Sequence, residues 1–402
     1  MLSIQLYNLH KVLSMIYIQN FSSISSLGAK YAEIVNSLTA PYSEHLTYRD
    51  DLLSNGLGSY FGVVKANLPD ISKFKAHNTR NNQFLAYCID ELKDTIEPLI
   101  SKYGKDRVAV VLGTSTSGLN ETEIEIEQYL KTGKVSDTYH YSFQEFSSPS
   151  EFVSQYLDVN GPAYTISTAC SSSARALISA KRLLQADMAD VVIAGGADTL
   201  CAVPINGFNS MEVLSHDRCL PFNKNRHGIN IGEGAGILIL TKEKSELALV
   251  GCGESSDAYH VSSPDPSGAG AVEAIKMALN DAKLTKDDIG YINLHGTATK
   301  LNDAMESQAV STLFGETTPC SSTKYLTGHT LGAAGIVEAC ILCYLLKENL
   351  DLPMQDFSLD EIDDTLPKCG LITDKLKSKT PYMMSNSFAF GGNNASIIIG
   401  KV

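Results

Sequence analysis

Short β-branched runs constrain this chain most. DRVAVVLGT (106–114), DVVIAGGAD (190–198), DIGYINLHGT (288–297) and NASIIIGKV (394–402) are apolar almost without a break and mostly end in glycine or small residues. Alternating apolar and polar residues would mark a half-solvated strand. Continuous apolar runs mark strands covered on both faces. Helical periodicity lies between them, as in GAVEAIKMALNDAKL (270–284), with apolar residues at Val272, Ile275, Ala278, Leu279 and Ala282. The expected class is therefore α/β. Two stretches share one plan: AYTISTACSSSARALISAKRLL (163–184) and SSTKYLTGHTLGAAGIVEACILCYLL (321–346). Each has an extended piece, a polar loop, then a helix rich in Ala, Gly and Ser that can pack closely. We read them as equivalent elements of two structural halves joined near LTKEKSE (240–246), where a strand ends in charge. The expected division is 15–243 and 244–402, with residues 1–14 as an extension ahead of Met15. That leader matches a secretory signal poorly, since His10 interrupts it and no small-residue cleavage site follows.

The formal net charge is −13 and there is no Lys/Arg run. Such a chain lacks the electrostatic footprint expected of a nucleic-acid or anionic-membrane binder. No apolar run reaches membrane-spanning length. The nine cysteines are scattered, with no CxxC pair, which disfavours zinc knuckles and redox dithiols and suits a reducing, cytoplasmic setting.

TACSSSARALIS (168–179) raises the chemical question. The apolar positions Ala174, Leu177, Ile178, Leu183 and Leu184 fit a helix starting near Cys170. A cysteine there meets free N–H groups and the positive helix end, which favour a thiolate and can hold an oxyanion. On this segment alone, a nucleophile and a structural buried thiol stand even. Two histidines shift the balance. His295 follows an apolar strand and precedes Gly and two threonines; His329 precedes a Gly/Ala-rich helix, with Lys324 five residues upstream. A single histidine of this kind is more often structural, but two in similar settings are harder to set aside. SNSFAFGGNNAS (385–396) adds a Gly-Gly turn between aromatics, either a ligand-contacting loop or a plain tight turn.

Cys170 in TACSSS, His295 in HGTAT, Lys324 and His329 in TKYLTGH, and the loop NSFAFGGNNAS together resemble β-ketoacyl-acyl-carrier-protein synthases of the KAS I/II type, over essentially everything from Met15 on. The resemblance implies a thiolase fold, two similar α/β halves in five α-β-α-β-α layers, in a homodimer or a heterodimer with a chain-length factor. It implies an acyltransferase of fatty acid or polyene biosynthesis that carries out a decarboxylative Claisen condensation. Cys170 would take the acyl chain as a thioester, and the N–H groups of Cys170 and Phe390 would form its oxyanion hole. His295 and His329 would stabilise the enolate left when CO₂ departs from the malonyl thioester. Lys324 would hold the histidine pair, with Glu338 behind it. Thr297 and Thr299 match contacts to the phosphopantetheine arm, and Phe388 and Phe390 match the aromatic gate. Asn293, Glu338, Ser385 and Asn386 match positions that bind a structural Na or K ion in some members. No cofactor is implied beyond the phosphopantetheine of the acyl carrier protein.

The chain departs from the common pattern at Ala389 (FAF for FGF), Asn393 (GGNN for GGTN), Lys300 (for Pro), His227 (for Asp) and the loop VVLGTSTSGLNETE. These features look more like ketosynthases of aryl polyene or similar specialised clusters. A thiolase would need a second cysteine in the C-terminal glycine-rich loop, and a KAS III-type enzyme would replace one histidine by Asn. The different-class rival is a non-catalytic chain-length-factor-like partner, which would lack the nucleophile. GINIGEGAG and SGAGAVEA do not complete a dinucleotide fingerprint. Because carrier proteins are acidic, docking calls for a local basic patch. Arg218, Lys224 and Arg226 are its candidates, with Lys181 and Arg182 behind them.

Overall fold

The structure, a computed structural model, describes residues 15–40 and 45–402; the expected extension at 1–14 lies outside the described residues. The first half contributes β1 (Ile16–Ile24), β2 (Val108–Gly113), β3 (Ala163–Ile166), β4 (Val191–Asp198) and β5 (Gly234–Thr241). The second contributes β6 (Leu247–Ser256), β7 (Ile289–Asn293), β8 (Pro319–Ser321), β9 (Tyr382–Ala389) and β10 (Asn393–Lys401). The first five are ordered β3-β2-β4-β5-β1 and the second five β8-β7-β9-β10-β6. Each strand thus has its counterpart five strands on. The parallel and antiparallel pairings also match: β2 is parallel to β3 and β4, and β7 to β8 and β9, while β4–β5–β1 and β9–β10–β6 are antiparallel. The repeat suspected from two stretches therefore extends to the whole topology. The β1–β6 pairing at Ile16–Ile18 joins the two sets edge to edge.

Helices α1 (Arg80–Asp90) and α2 (Ser148–Leu157) cover the outer face of the first sheet. Helix α3 (Ser172–Gln185) lies between the sheets, touching β2 and β4 on one side and β6 and β10 on the other. On the outer face of the second sheet, α4 (Ala269–Ala282) packs on β6 and β10, with α5 (Lys300–Phe314) beside it. Helix α6 (Ala334–Glu348) lies against α3 and touches β5, β1, β9 and β10. The result is the five-layered α/β arrangement. Every residue of α6 from Ala334 to Leu346 is buried, the burial a helix apolar all round requires. Close approach explains the small residues: a Cβ at Gly335 would stand 2.8 Å from the Ala174 Cβ. β2, β4 and β5 are buried at every position, as their unbroken apolar runs imply. No helix among the described residues is long and apolar enough to cross a membrane.

Candidate active site

β3 runs out into a turn that presents Cys170 just ahead of α3, with Ser171 as the helix N-cap. Ala169 sits at φ 52°, a left-handed conformation costly for a residue with a Cβ. Hydrogen bonds hold the turn. The Ser171 hydroxyl donates to the Thr168 carbonyl (2.8 Å), and the Ser172 hydroxyl donates to that of Ala169 (2.6 Å). Thr168 N–H donates back to Ser172 Oγ (2.9 Å), while Ser173 Oγ accepts from Ile336 N–H (2.9 Å), tying α3 to α6. The serines therefore act as hydrogen-bonding groups as well as small ones.

Cys170 is buried, and the backbone N–H groups of Phe390 and of Cys170 itself lie where they favour the thiolate. One expectation is corrected in sign. Burial dominates and pushes the thiol up to about 11, with Lys324 and the two N–H groups only partly offsetting it. The thiol is thus protonated at neutral pH. It still lies below Cys88, Cys201, Cys219 and Cys252, each pushed up by burial to about 12.

His295 and His329 come from the loops after β7 and before α6, and both line one cavity. Their rings stand 5.4 Å apart at 87°, and their ligating nitrogens and the Cys170 sulfur all fall within 4.8 Å of one another. Both tautomers follow from the surroundings. His329 Nδ1 accepts the Leu331 N–H (3.2 Å), so its proton is on Nε2. His295 Nδ1 faces the Lys324 ammonium (3.4 Å), which can only donate, so its proton is also on Nε2. Burial first, then the Lys324 charge, hold both rings well below the usual imidazole range. The site therefore presents two neutral Nε2–H donors beside a thiol. We expect the imidazole signals of His295 and His329 to stay fixed between pH 6 and 8 in NMR titration; movement near pH 6.5 would contradict this electrostatic reading.

Lys324 is fully buried against Glu338 (2.6 Å). Thr297 and Thr299 bond to each other through their hydroxyls (2.9 Å), around Ala298 at φ 62°. Phe388 packs 6.3 Å from the His295 ring and Phe390 5.8 Å from Phe208. Gly391 and Gly392 adopt φ 78° and 74°, which explains the glycine pair. Thr297, Thr299, Phe208, Phe388 and Phe390 line one cavity of about 370 Å³ together with Cys170, His295 and His329. His227 and Lys300, two of the departures noted in the sequence, line it as well.

Three of the four expected cation positions carry an oxygen free to act as a donor to an ion. Asn293 Oδ1, Glu338 Oε2 and Ser385 Oγ are buried without a hydrogen-bond partner, and Asn293 and Ser385 are paired across β7 and β9. Three orphaned oxygens suit a hard monovalent ion. The Asn386 side chain is instead engaged with Ser396 (2.8 Å) and Glu306 (3.5 Å).

Two of the candidate docking cations are corrected. Arg226 is buried, with its guanidinium on Asp303 (3.3 Å) and Asp363 (2.5 Å). Lys181 is buried on Asp281 (2.7 Å). Both are internal ion pairs and present no basic surface. Lys224 and Arg182 are exposed but paired with Glu361 and Glu254, and the Arg218 guanidinium stands over the Tyr60 ring. Arg226→Ala would leave Asp303 buried and unpaired. We expect a loss of about 3–5 kcal/mol in urea unfolding; an unchanged midpoint would show that the pair is dispensable.

Sequence reading missed Glu306. Its carboxylate takes the N–H groups of His295 (2.8 Å) and Gly296 (2.7 Å), fixing the loop that carries the histidine. Burial pushes it up to about 7. The signal was present: Glu306 falls on the buried face of α5, between Met305 and Ala309. Phe208, which meets Phe390 at the cavity wall, left no comparable trace.

Residues 92–246 match the family described as Beta-ketoacyl synthase, N-terminal domain, and residues 247–357 its C-terminal domain. The chain is 31% identical to 3-oxoacyl-[acyl-carrier-protein] synthase 2 of Staphylococcus aureus (90% of this chain, 89% of that one). It is 31% identical to 3-oxoacyl-[acyl-carrier-protein] synthase 1 of Buchnera aphidicola (96% and 99%). Among solved structures it resembles a ketosynthase in complex with its chain length factor from Xenorhabdus doucetiae, with TM-score 0.94, 47% identity and 98% and 99% coverage. A β-ketoacyl synthase from Burkholderia phymatum follows at TM-score 0.85, with 26% identity and 97% and 100% coverage.

Proposed function

Since the chain belongs to the β-ketoacyl synthase family, we propose that it condenses a Cys170-bound acyl group with malonyl-acyl carrier protein, releasing CO₂. One observation carries the assignment of roles: a thiol and two neutral Nε2–H donors converge on one cavity. In the first half-reaction the Cys170 sulfur attacks the acyl thioester. Its bond to the acyl carbon forms, the carbon–sulfur bond to phosphopantetheine breaks, and the departing thiol takes the proton. Because the resting thiol is protonated, this transfer is part of the reaction and is not completed beforehand. In the second, CO₂ leaves the malonyl group, and the negative charge moves to the thioester oxygen, held by His295 and His329 Nε2–H. The carbanion then attacks the Cys170 thioester. Phe390 and Cys170 N–H groups stabilise the tetrahedral oxyanion, whose collapse frees the cysteine, which regains a proton.

Lys324 keeps both rings neutral and orients His295, with Glu338 balancing its charge. Thr297 and Thr299 take the phosphopantetheine arm, and Phe388 and Phe390 form the gate. Asn293, Ser385 and Glu338 would hold a monovalent cation that offsets buried negative charge; it takes no part in the steps above. The halves are read as 15–243 and 244–402, supported by β5 ending at Thr241 and β6 beginning at Leu247. A chain-length-factor subunit is the proposed partner beside the acyl carrier protein in the cytoplasm. The 47% identity to a ketosynthase solved with its chain length factor, against 31% to the 3-oxoacyl synthases, supports that pairing and a specialised pathway over housekeeping elongation. Retention of Cys170, His295, Lys324 and His329 argues against the chain being the non-catalytic member. The test is incubation with acyl- and malonyl-acyl carrier protein, alone and with such a subunit. A 3-oxoacyl product two carbons longer is expected; no product in either setting would overturn the reading.

A further inference from the structure

Asp198 closes β4, and its carboxyl group is fully buried. Everything bonded to it is a donor. Oδ1 takes Thr114 Oγ1 (2.7 Å), Thr116 Oγ1 (2.7 Å), and the N–H groups of Ser115 and Thr116 (both 2.8 Å). Oδ2 takes the Ala333 N–H (3.1 Å). A group surrounded by donors alone suits an ionised carboxylate. These donors belong to two separate turns. Thr114–Thr116 follows β2, and Ser115 Oγ goes on to donate to the Ala169 carbonyl (3.3 Å), beside the nucleophile. Ala333 ends the short 3₁₀ turn Leu331–Ala333, whose first residue, at φ 50°, donates its N–H to His329 Nδ1. The fit is tight, since a Cβ at Gly332 would meet Asp198 Oδ2 at 2.8 Å and Ser115 Oγ at 2.7 Å.

We infer that Asp198 is a positioning residue for decarboxylation: its carboxylate anchors the Leu331–Ala333 turn and so keeps His329 in the Nε2–H tautomer aimed at the malonyl oxygen. The inference rests on the proposed role of His329. Asp198 touches no substrate. It acts through one N–H, and the turn it holds carries the N–H that sets the ring. Asp198→Asn isolates this effect. Oδ1, with four donors, keeps the amide oxygen, so the amide NH₂ faces the Ala333 N–H and two donors meet. The turn is pushed away while side-chain size is conserved.

The negative charge also opposes ionisation of Cys170. A positioning role and a merely structural one therefore predict different patterns. In Asp198→Asn, malonyl decarboxylation should fall about ten- to a hundredfold in kcat with KM little changed, while iodoacetamide alkylation of Cys170 stays equal or becomes faster. Asp198→Glu should recover part of the decarboxylation. Gly332→Ala, which forces the same turn off the carboxylate from the other side, should reproduce the loss and serves if Asp198→Asn does not fold. Undiminished decarboxylation in both Asp198→Asn and Gly332→Ala overturns the inference, as does a parallel fall of alkylation and decarboxylation. His329→Ala is measured alongside. If it decarboxylates like the wild type, the proposed role of His329 fails; if it is impaired while the Asp198 and Gly332 variants are not, only the positioning claim fails.

Discussion

Cys170→Ala should lose condensation by about 10⁴-fold or more, the scale of removing a covalent nucleophile, yet still release CO₂ from malonyl-acyl carrier protein. The division follows from the geometry. The two Nε2–H donors are set by Lys324 and by the Leu331 N–H, and neither contact involves the sulfur. The alanine also vacates room in the cavity without adding a charge. Radiolabelled CO₂ release and product mass, measured on the same folded preparation, separate the two activities. Loss of both would mean that the nucleophile and the enolate donors are not independent groups.

His329→Ala should give the converse. Removing one of two donors to a developing oxyanion costs about 10²–10³-fold, so decarboxylation and condensation should both fall by that order. Acylation of Cys170 should persist, because the N–H groups that favour its thiolate belong to Phe390 and Cys170. If His329→Ala left Cys170 unacylated, the ring would be serving the first half-reaction and the role division would be wrong. Together the two variants form a double dissociation that general destabilisation would not reproduce.

What was legible in the sequence was local. β2, β4 and β5 could be read because burial on both faces writes an unbroken apolar run. Cys170 and His295 could be placed because both sit where a strand gives way to a loop. Arg226 was misread because a cation in a loop ordinarily faces water; its partner Asp363 lies 137 residues away and only the fold brings it near. Lys181 was legible but overlooked: it continues the buried face of Ala174, Leu177 and Ile178 on α3, a position where a lysine needs an internal carboxylate. Asp198 and Glu306 belong to a third kind. Each is an acid that organises backbone N–H groups of a loop; Glu306 showed only as an acid on the buried face of α5, and the backbone partners of Asp198 left no residue pattern to find. The thiol's protonation was misjudged because the helix terminus could be inferred from sequence, whereas the burial that outweighs it could not.

Intact-mass analysis with peptide mapping, after exposure to a panel of acyl-acyl carrier protein thioesters, tests the central claim most directly. Run on the protein alone and with a chain-length-factor subunit, it should show one acyl adduct per chain, located on Cys170 and absent from Cys170→Ala. An adduct on another of the nine cysteines, or none in either preparation, would contradict the account.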